Sequence, residues 1–219
     1  MEKLDNSKTL LVQKLGFGPL LNIGCGSLDL ELCLKLVHTL ECTESVLSFR
    51  GLAVRITPED VGAILGIPFG GKLIKPTVPD HDRLNKFKKE ELHATKWTDL
   101  ERILHGNSSG SQFQRAFLLY ALGILLCPTS STKISNRLIS ATEDVHNAVS
   151  YNWTYFVYDA LIEEITKFKD DNKKMAKGKR WIGCCLFFLP VCADLETHVC
   201  LLWFDCNLSM DIRCLSNDL

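Results

Sequence analysis

The sequence predicts a mainly α fold, an irregular helical domain with one small β-hairpin near residues 46–56. Residues 152–168 follow a helical period that places apolar side chains on one continuous stripe. Residues 57–65 begin with the cap and first-turn residues that are typical of a helix start. Two short β-favouring runs flank Arg50 and Gly51, and a tight hairpin turn favours glycine at such a position.

The first predicted core helix begins after Ser27 and ends near Cys42. Ser27 can cap its N-terminus, and Asp29 and Glu31 place acids in the first turn, where the helix dipole favours them. The apolar residues that follow fall on one face. The hairpin comes next, with strands over residues 46–49 and 52–56.

A second helix is predicted to begin at the end of the hairpin. Thr57 is its expected cap, Pro58 suits the first helical position, and the acids that follow suit the first turn. Gly66 is expected to end this helix in the left-handed conformation, because glycine adopts it without a Cβ penalty and Pro68 stands just beyond.

The middle of the chain is predicted to form short helices between irregular segments. Residues 72–82 contain two prolines and predict an irregular connection, followed by a polar helix near residues 83–93. A shorter helix is expected over about residues 98–104. Residues 106–111 (GNSSGS) predict a flexible loop.

Two buried helices follow. Residues 113–126 are apolar almost all round, which predicts a buried helix that Pro128 ends. Ser140 and Glu143 fit a capping box for a brief helix, and Asn152 is the expected cap of the most amphipathic helix. Its stripe consists of Trp153, Phe156, Val157, Ala160, Leu161, Ile165 and Phe168.

These elements suggest one domain between two tails. Residues 1–14 are expected to be an N-terminal tail, residues 15–195 the helical domain and residues 196–219 a C-terminal tail of ambiguous structure. Within the domain, residues 181–194 are apolar on all sides and interrupted by Pro190. No internal repeat is found.

Composition excludes several classes of function. The 219 residues are 46% hydrophobic and 23% charged, which is ordinary for a packed globular chain. The net charge of -1 gives no overall attraction to nucleic acid or to anionic membrane. Neither a signal peptide nor a membrane span is recognised, so the chain is expected to be intracellular and its ten cysteines to be reduced. Cys33, Cys127, Cys184 and Cys185 are expected to be small buried hydrophobes.

The stretch GIPFGGK, residues 66–72, fits the spacing G-x-x-x-x-G-K of a phosphate-binding loop. Such a loop needs a strand before it and a helix directly after its lysine, with Ser or Thr next to bind magnesium. Here a helix comes first, Leu73 stands in place of the Ser or Thr, and prolines follow. We therefore predict that no nucleotide and no other cofactor binds.

The C-terminal cysteines and His198 could in principle serve a metal site or a cysteine peptidase. No C-x-x-C pair occurs, so buried free thiols are favoured over zinc and no metal is predicted. A peptidase would need His198 with Cys206 or Cys214, but catalytic partners usually converge from separate parts of a fold. No catalytic residue is predicted. The cysteines considered for zinc are Cys184, Cys185, Cys192, Cys200, Cys206 and Cys214.

A lysine-rich stretch is the one candidate for a binding patch. It can be a solvated helix end, which is the favoured interpretation, or it can contact nucleic acid or act as a nuclear-import signal. No aromatic residues alternate with its cations, so nucleic-acid binding there is expected to be weak. The patch consists of Lys167, Lys169, Lys173, Lys174, Lys177, Lys179 and Arg180.

An ordered set of short motifs is similar to the plant mobile domain, the transposon-derived domain also called aminotransferase-like. Together the motifs span about residues 15–195, although Pro190 and Cys192 depart from the family's usual run. No lysine stands in a context that would hold pyridoxal phosphate. The matching stretches are residues 16–21 (GFGPLL), 56–61 (ITPEDV), 65–68 (LGIP) with 70–71 (GG), 117–120 (FLLY), 126–129 (LCPT), 151–153 (YNW), 183–184 (GC) and 187–189 (FFL).

The resemblance implies a non-enzymatic interaction module with protein partners, and nuclear roles in transposon silencing, genome stability or development. Relatives of this sub-type are often fused to a SUMO-protease-like cysteine peptidase domain. An alternative is therefore a truncated remnant of a transposon-encoded polyprotein that carried the peptidase. Weak nucleic-acid binding through the lysine-rich stretch is a further alternative.

Overall fold

The computed structural model describes residues 4–23, 28–75, 81–129, 131–174 and 182–196. Most of these residues are helical, so the predicted mainly α fold is confirmed. Two 3₁₀ segments, Gly18–Asn22 and Val145–Ser150, connect the longer elements. The α-helices are α1 Asn6–Lys14, α2 Leu30–Thr39, α3 Pro58–Leu65, α4 His81–Lys86, α5 Trp97–His105, α6 Gly110–Tyr120, α7 Asn136–Ala141, α8 Trp153–Lys174 and α9 Phe188–Glu196.

A three-stranded antiparallel sheet contains the predicted hairpin. Strands β2 (Val46–Phe49) and β3 (Leu52–Arg55) pair from the turn outward, and β1 (Leu40–Glu41) adds a short edge that the sequence did not indicate. Arg50 and Gly51 both have positive φ, 50° and 82°. Positive φ at both central residues is the turn geometry that matches the twist of paired strands, so the hairpin forms where the sequence predicted it.

The capped start of α3 agrees with its prediction in each local detail. The Thr57 hydroxyl accepts the Asp60 N–H at 3.3 Å, and the Asp60 carboxylate accepts the Thr57 N–H at 2.8 Å. This reciprocal pair satisfies two N–H groups that the helix itself leaves without partners. At the other end Gly66 has φ 61° and ψ 36°, so it is the left-handed cap that was predicted.

Helix α8 contributes one buried face to the core. The Asn152 side chain accepts the Tyr155 N–H at 2.9 Å and so caps the helix, as predicted. Every residue of the predicted stripe is buried, and α3 packs against the helix. Burial of a large apolar side chain stabilises a fold by roughly 1.5–3 kcal/mol, so this stripe supplies a large share of the driving force for folding.

Helix α6 continues without a break into a π-helical segment, Ala121–Leu126, and the two together form the predicted buried helix. A buried arginine interrupts its apolar surface. The guanidinium of Arg115 donates to the Glu143 carbonyl at 3.1 Å, lies 3.4 Å from the Glu91 carboxylate and sits 4.8 Å from the ring centre of Phe87. Arg115 therefore links α6 to two other segments of the core.

Two further predicted helices are confirmed. Helix α4 runs on into a second π-helical segment, Phe87–Leu92, over the region predicted as a polar helix. Helix α5 covers the predicted residues 98–104 with one more residue at each end. Residues 73–75 have no regular secondary structure, in agreement with the predicted irregular connection.

The predicted N-terminal boundary needs correction. Residues 1–14 were assigned to a tail, but residues 6–14 form α1, whose Val12 is completely buried and which packs against α6. The ammonium of Lys8 donates to the carbonyls of Leu104 and Gly106, at 2.9 and 2.7 Å. These are terminal carbonyls of α5, so α1 belongs to the helical domain.

Three local predictions about helix boundaries are wrong. Helix α6 begins at Gly110, inside the predicted loop of residues 106–111. Ser140 is not a cap: it lies within α7, which starts after Ser135 and buries two apolar residues. Pro190 does not interrupt the C-terminal apolar segment, since it lies in the first turn of α9, where no backbone donor is needed.

Two predictions concern segments that are only partly described. Helix α2 starts at Leu30, and the Asp29 carboxylate caps it by accepting the Leu32 N–H at 3.0 Å. Ser27, the predicted cap, lies outside the described residues, as do residues 197–219 of the predicted C-terminal tail. Among the described helices, none is both long enough and apolar enough to cross a bilayer.

Candidate functional site

Three of the motifs that carry the family resemblance meet at one place in the fold, which we call the motif junction. It comprises residues 16–19 at the end of α1, residues 65–72 after α3, and residues 150–154 at the start of α8. Its glycines permit close contact. A Cβ on Gly66 would lie 2.5 Å from the Cβ of Pro19, and one on Gly16 would lie 2.7 Å from the Cγ of Pro68.

Main-chain hydrogen bonds join the second and third segments of the motif junction. The Lys72 N–H donates to the Ser150 carbonyl at 2.9 Å, and the Lys72 carbonyl accepts the Asn152 N–H at 2.8 Å. The Pro68 carbonyl accepts the N–H groups of Trp153 and Thr154, at 3.2 and 3.3 Å. The first turn of α8 therefore has partners for N–H groups that a helix start leaves free.

A buried tryptophan, Trp153, packs against the first segment of the motif junction. Trp153 packs edge-on against Phe17 and Phe156, with ring centres 5.6 and 6.1 Å apart. Its indole N–H donates to the Ala148 carbonyl at 2.7 Å, which satisfies the one polar atom of the side chain. Aromatic pairs of this geometry add about 0.5–1.5 kcal/mol beyond burial, so the tryptophan ties α8 to the first segment.

This geometry explains the GIPFGGK stretch without a nucleotide. The stretch follows helix α3, not a strand, and no helix begins at residues 73–75. Lys72 forms a parallel bridge with Tyr151, and a Cβ on Gly71 would collide with the Ser150 carbonyl. Gly66 and Gly71 therefore serve helix capping and close backbone packing. Absence of nucleotide binding stays a prediction.

Several exposed apolar side chains lie on the segments of the motif junction or next to them in the chain. Four large side chains on its segments or directly beside them are 43–59% exposed: Phe69, Leu73, Val149 and Tyr155. We call these four residues the apolar rim. Lys72 and Lys75 flank Leu73 in the chain and are exposed, and neither forms an ion pair with a described residue. Sequence patterns missed the rim because exposure of an apolar side chain depends on the tertiary fold.

The described cysteines behave as the sequence predicted, since Cys33, Cys127, Cys184 and Cys185 are all buried. Burial raises the pKa of Cys33 to about 11 and that of Cys127 to about 12, and it raises the pKa of Cys184 as well. A protonated thiol is a weak nucleophile and a poor metal ligand. Within the described ranges no three His, Cys, Asp or Glu side chains are placed to hold a metal ion.

The remaining residues considered for a metal site or a peptidase lie outside the described part of the chain. They are His198, Cys200, Cys206 and Cys214. Cys192 is described and is buried.

The lysine-rich patch is only partly described, and its two described side chains contact the protein itself. Lys167 pairs with Glu163 at 2.7 Å and Glu164 at 3.0 Å. Lys169 donates to the carbonyls of His38, at 3.2 Å, and Leu40, at the end of α2. Both described cations of the patch therefore bind acceptors within the protein.

The other five side chains of that patch lie outside the described part of the chain. The side chains of Lys173 and Lys174, in the last turn of α8, lie outside the described part, as do residues Lys177, Lys179 and Arg180.

A cleft of about 320 Å³ lies between α7 and α8, near these charges. Arg137 and Lys167 line it, but both are paired with Glu163, each at 2.7 Å. The hydrogen bonds from Lys167 and then from Arg137 lower the pKa of Glu163, so this carboxylate stays ionised. Arg137 also pairs with Asp159 at 3.5 Å and Lys167 with Glu164 at 3.0 Å, so each cation has a second acid nearby. The cleft therefore presents no free positive charge to a ligand.

Comparison with known proteins gives one family. Residues 1–190 match the family described as "Domain of unknown function (DUF8566)". No curated protein matches the chain, and no solved structure does.

Proposed function

The chain belongs to the DUF8566 family, a domain of unknown function, and on that premise we propose that it is a non-enzymatic, transposon-derived interaction module. A protein partner docks on the apolar rim. Exposed apolar side chains clustered on one structural feature are a common mark of protein contact sites. The rim is the single observation that carries the proposal.

The family resemblance supports the same function from the sequence. The motifs similar to the plant mobile domain include all three segments of the motif junction, which is the structural support of the rim. A rigid support lowers the ordering cost of binding, because less conformational freedom is lost when the partner docks. Nuclear localisation and roles in silencing, genome stability or development follow from the resemblance and are part of the proposal.

The chemistry of the rim defines the kind of partner. Phe69 and Tyr155 offer large apolar anchors, and aromatic residues are enriched among those that dominate binding energy. Lys72 and Lys75 lie beside Leu73 with no carboxylate partner among the described residues. We therefore propose a partner segment that carries apolar side chains together with Asp or Glu.

The experiment compares rim variants with a matched control. Phe69→Asp and Tyr155→Asp place charges on the rim, whereas Leu30→Asp places one on a 61% exposed leucine of α2, outside the motif junction. The full chain and each variant are used for affinity capture from nuclear extract of plant cells, followed by mass spectrometry. Each captured protein is then purified and tested for direct binding.

The expected result is a purified partner with an acidic, apolar segment that binds the wild type and Leu30→Asp equally. Its affinity should fall at least tenfold for Phe69→Asp and for Tyr155→Asp, while circular dichroism shows unchanged folding. Equal binding by all variants, or loss with Leu30→Asp as well, would reject the rim as the docking surface. A fluorescent fusion excluded from the nucleus would reject the nuclear part of the proposal.

A further inference from the structure

A second feature of the surface is a pair of lysines held directly opposite each other. Lys96 and Lys133 form an isolated antiparallel bridge. The hydrogen bonds flank the pair: the Ile134 N–H donates to the Thr95 carbonyl at 3.1 Å, and the Trp97 N–H donates to the Thr132 carbonyl at 3.4 Å. In this non-hydrogen-bonded arrangement the opposed Cα atoms are roughly 4.5 Å apart, and the side chains leave the same face.

A third lysine joins this pair from another segment. Lys88, on the π-helical segment after α4, donates to the Asn136 side-chain oxygen at 3.0 Å. Partial burial, and secondly the nearby charge of Lys133, lower the pKa of Lys88. We call Lys88, Lys96 and Lys133 the lysine cluster. Its members come from three separate stretches of the chain.

The lysine cluster is not compensated within the described part of the chain. No described carboxylate lies within ion-pair distance of its three ammonium groups. Asp99, the acid on the adjoining turn, instead accepts the N–H groups of Thr95 and Lys96, both at 3.0 Å, and contacts Arg102. Like charges directly opposite each other in a β pair are destabilising, so this arrangement does not serve stability.

A local bridge nevertheless holds the cluster in place. The Trp97 indole donates to the Ser131 carbonyl at 2.7 Å, and the ring packs so closely on Gly123 that a Cβ there would collide with it. This contact fixes the loop that carries Lys133 against the start of α5. Positive charges that are fixed before binding are favourable for an anion, because less side-chain and loop entropy is lost.

We propose that Lys88, Lys96 and Lys133 contact successive phosphates of a nucleic-acid backbone. A polymer of phosphates suits three separate ammonium groups that the fold brings together. The net charge of -1 gives no overall attraction to a polyanion, so binding is weak and independent of sequence.

Fluorescence anisotropy with a labelled 20-base-pair DNA duplex, titrated with the full chain at several salt concentrations, tests the proposal. Three phosphate contacts predict a slope of log K against log salt of about -2.7, which is a loss of affinity of about 40-fold between 50 and 200 mM salt. Lys133→Gln should reduce the slope to about -1.8 and the loss to about 12-fold. Lys133→Arg should bind like the wild type.

The controls separate the cluster from the rest of the surface. Lys35→Gln removes an exposed lysine elsewhere and should leave binding unchanged. The double variant Lys96→Gln/Lys133→Gln should bind at least tenfold more weakly at 50 mM salt. Equal binding by wild type and double variant, or a flat salt response, would overturn the proposal. Binding to vesicles with 30% phosphatidylserine but not to the duplex would assign the cluster to a membrane surface and would likewise overturn it.

Discussion

Replacement of Gly66 by alanine tests the structure at the motif junction. Gly66 has φ 61°, where a Cβ costs roughly 1–2 kcal/mol. The added Cβ would also lie 2.5 Å from the Cβ of Pro19 and 2.8 Å from its Cγ, so Pro19 must move. Overpacking of this kind costs typically 1–3 kcal/mol. We expect Gly66→Ala to lower the free energy of unfolding by about 2–5 kcal/mol.

Gly70→Ala is the matched control, because Gly70 has φ 82° and a Cβ there would meet nothing within 4 Å. It should therefore cost only the backbone strain, about 1–2 kcal/mol. Urea denaturation followed by tryptophan fluorescence measures both variants. For a chain of this size, the Gly66→Ala melting temperature should fall by about 4–20 °C. An equal loss of stability in the two variants would refute the inferred contact between Gly66 and Pro19.

Three further predictions concern ligand binding, thiol reactivity and pH. Millimolar ATP with magnesium should not raise the melting temperature, and Lys72→Ala should leave stability nearly unchanged; a rise that Lys72→Ala abolishes would restore the nucleotide hypothesis. Iodoacetamide at pH 8 should alkylate the half-buried Cys42 before Cys127, because burial raises the pKa of Cys127 to about 12. Equal alkylation rates of the two cysteines in peptide mapping would contradict the burial of Cys127. The N–H groups of Thr95 and Lys96 lower the pKa of Asp99, so its contribution to stability is present above its unfolded pKa of about 3.9 and is lost as the pH falls through the lower folded value. Asp99→Asn should flatten the acid side of the stability profile, and an unchanged urea midpoint profile below about pH 4 would argue against this.

Local signals predicted the elements whose causes lie within a few residues. Thr57 and Asp60 form their capping box, Gly66 ends α3, and Arg50 with Gly51 makes the hairpin turn, because each depends on backbone angles and neighbouring donors. The stripe of α8 was equally readable from its period. The prediction that Ser140 caps a helix was wrong because a capping pattern is only a local preference. Burial of the two apolar residues of α7 favoured an earlier helix start.

The composition and order of residues by themselves determined a mainly helical chain with buried thiols, the helix cap at Gly66 and the absence of an overall charge that would attract a polyanion. Only the tertiary structure decided which lysines bind acceptors within the protein and which have no described acid beside them. The ammonium of Lys169 donates to a carbonyl at the end of α2. Lys88, Lys96 and Lys133 come from segments up to 45 residues apart, and none of them forms an ion pair with a described acid. The physical reason is that hydrogen bonds and helix signals act between near neighbours, whereas exposure and charge pairing depend on which distant segments the core brings together.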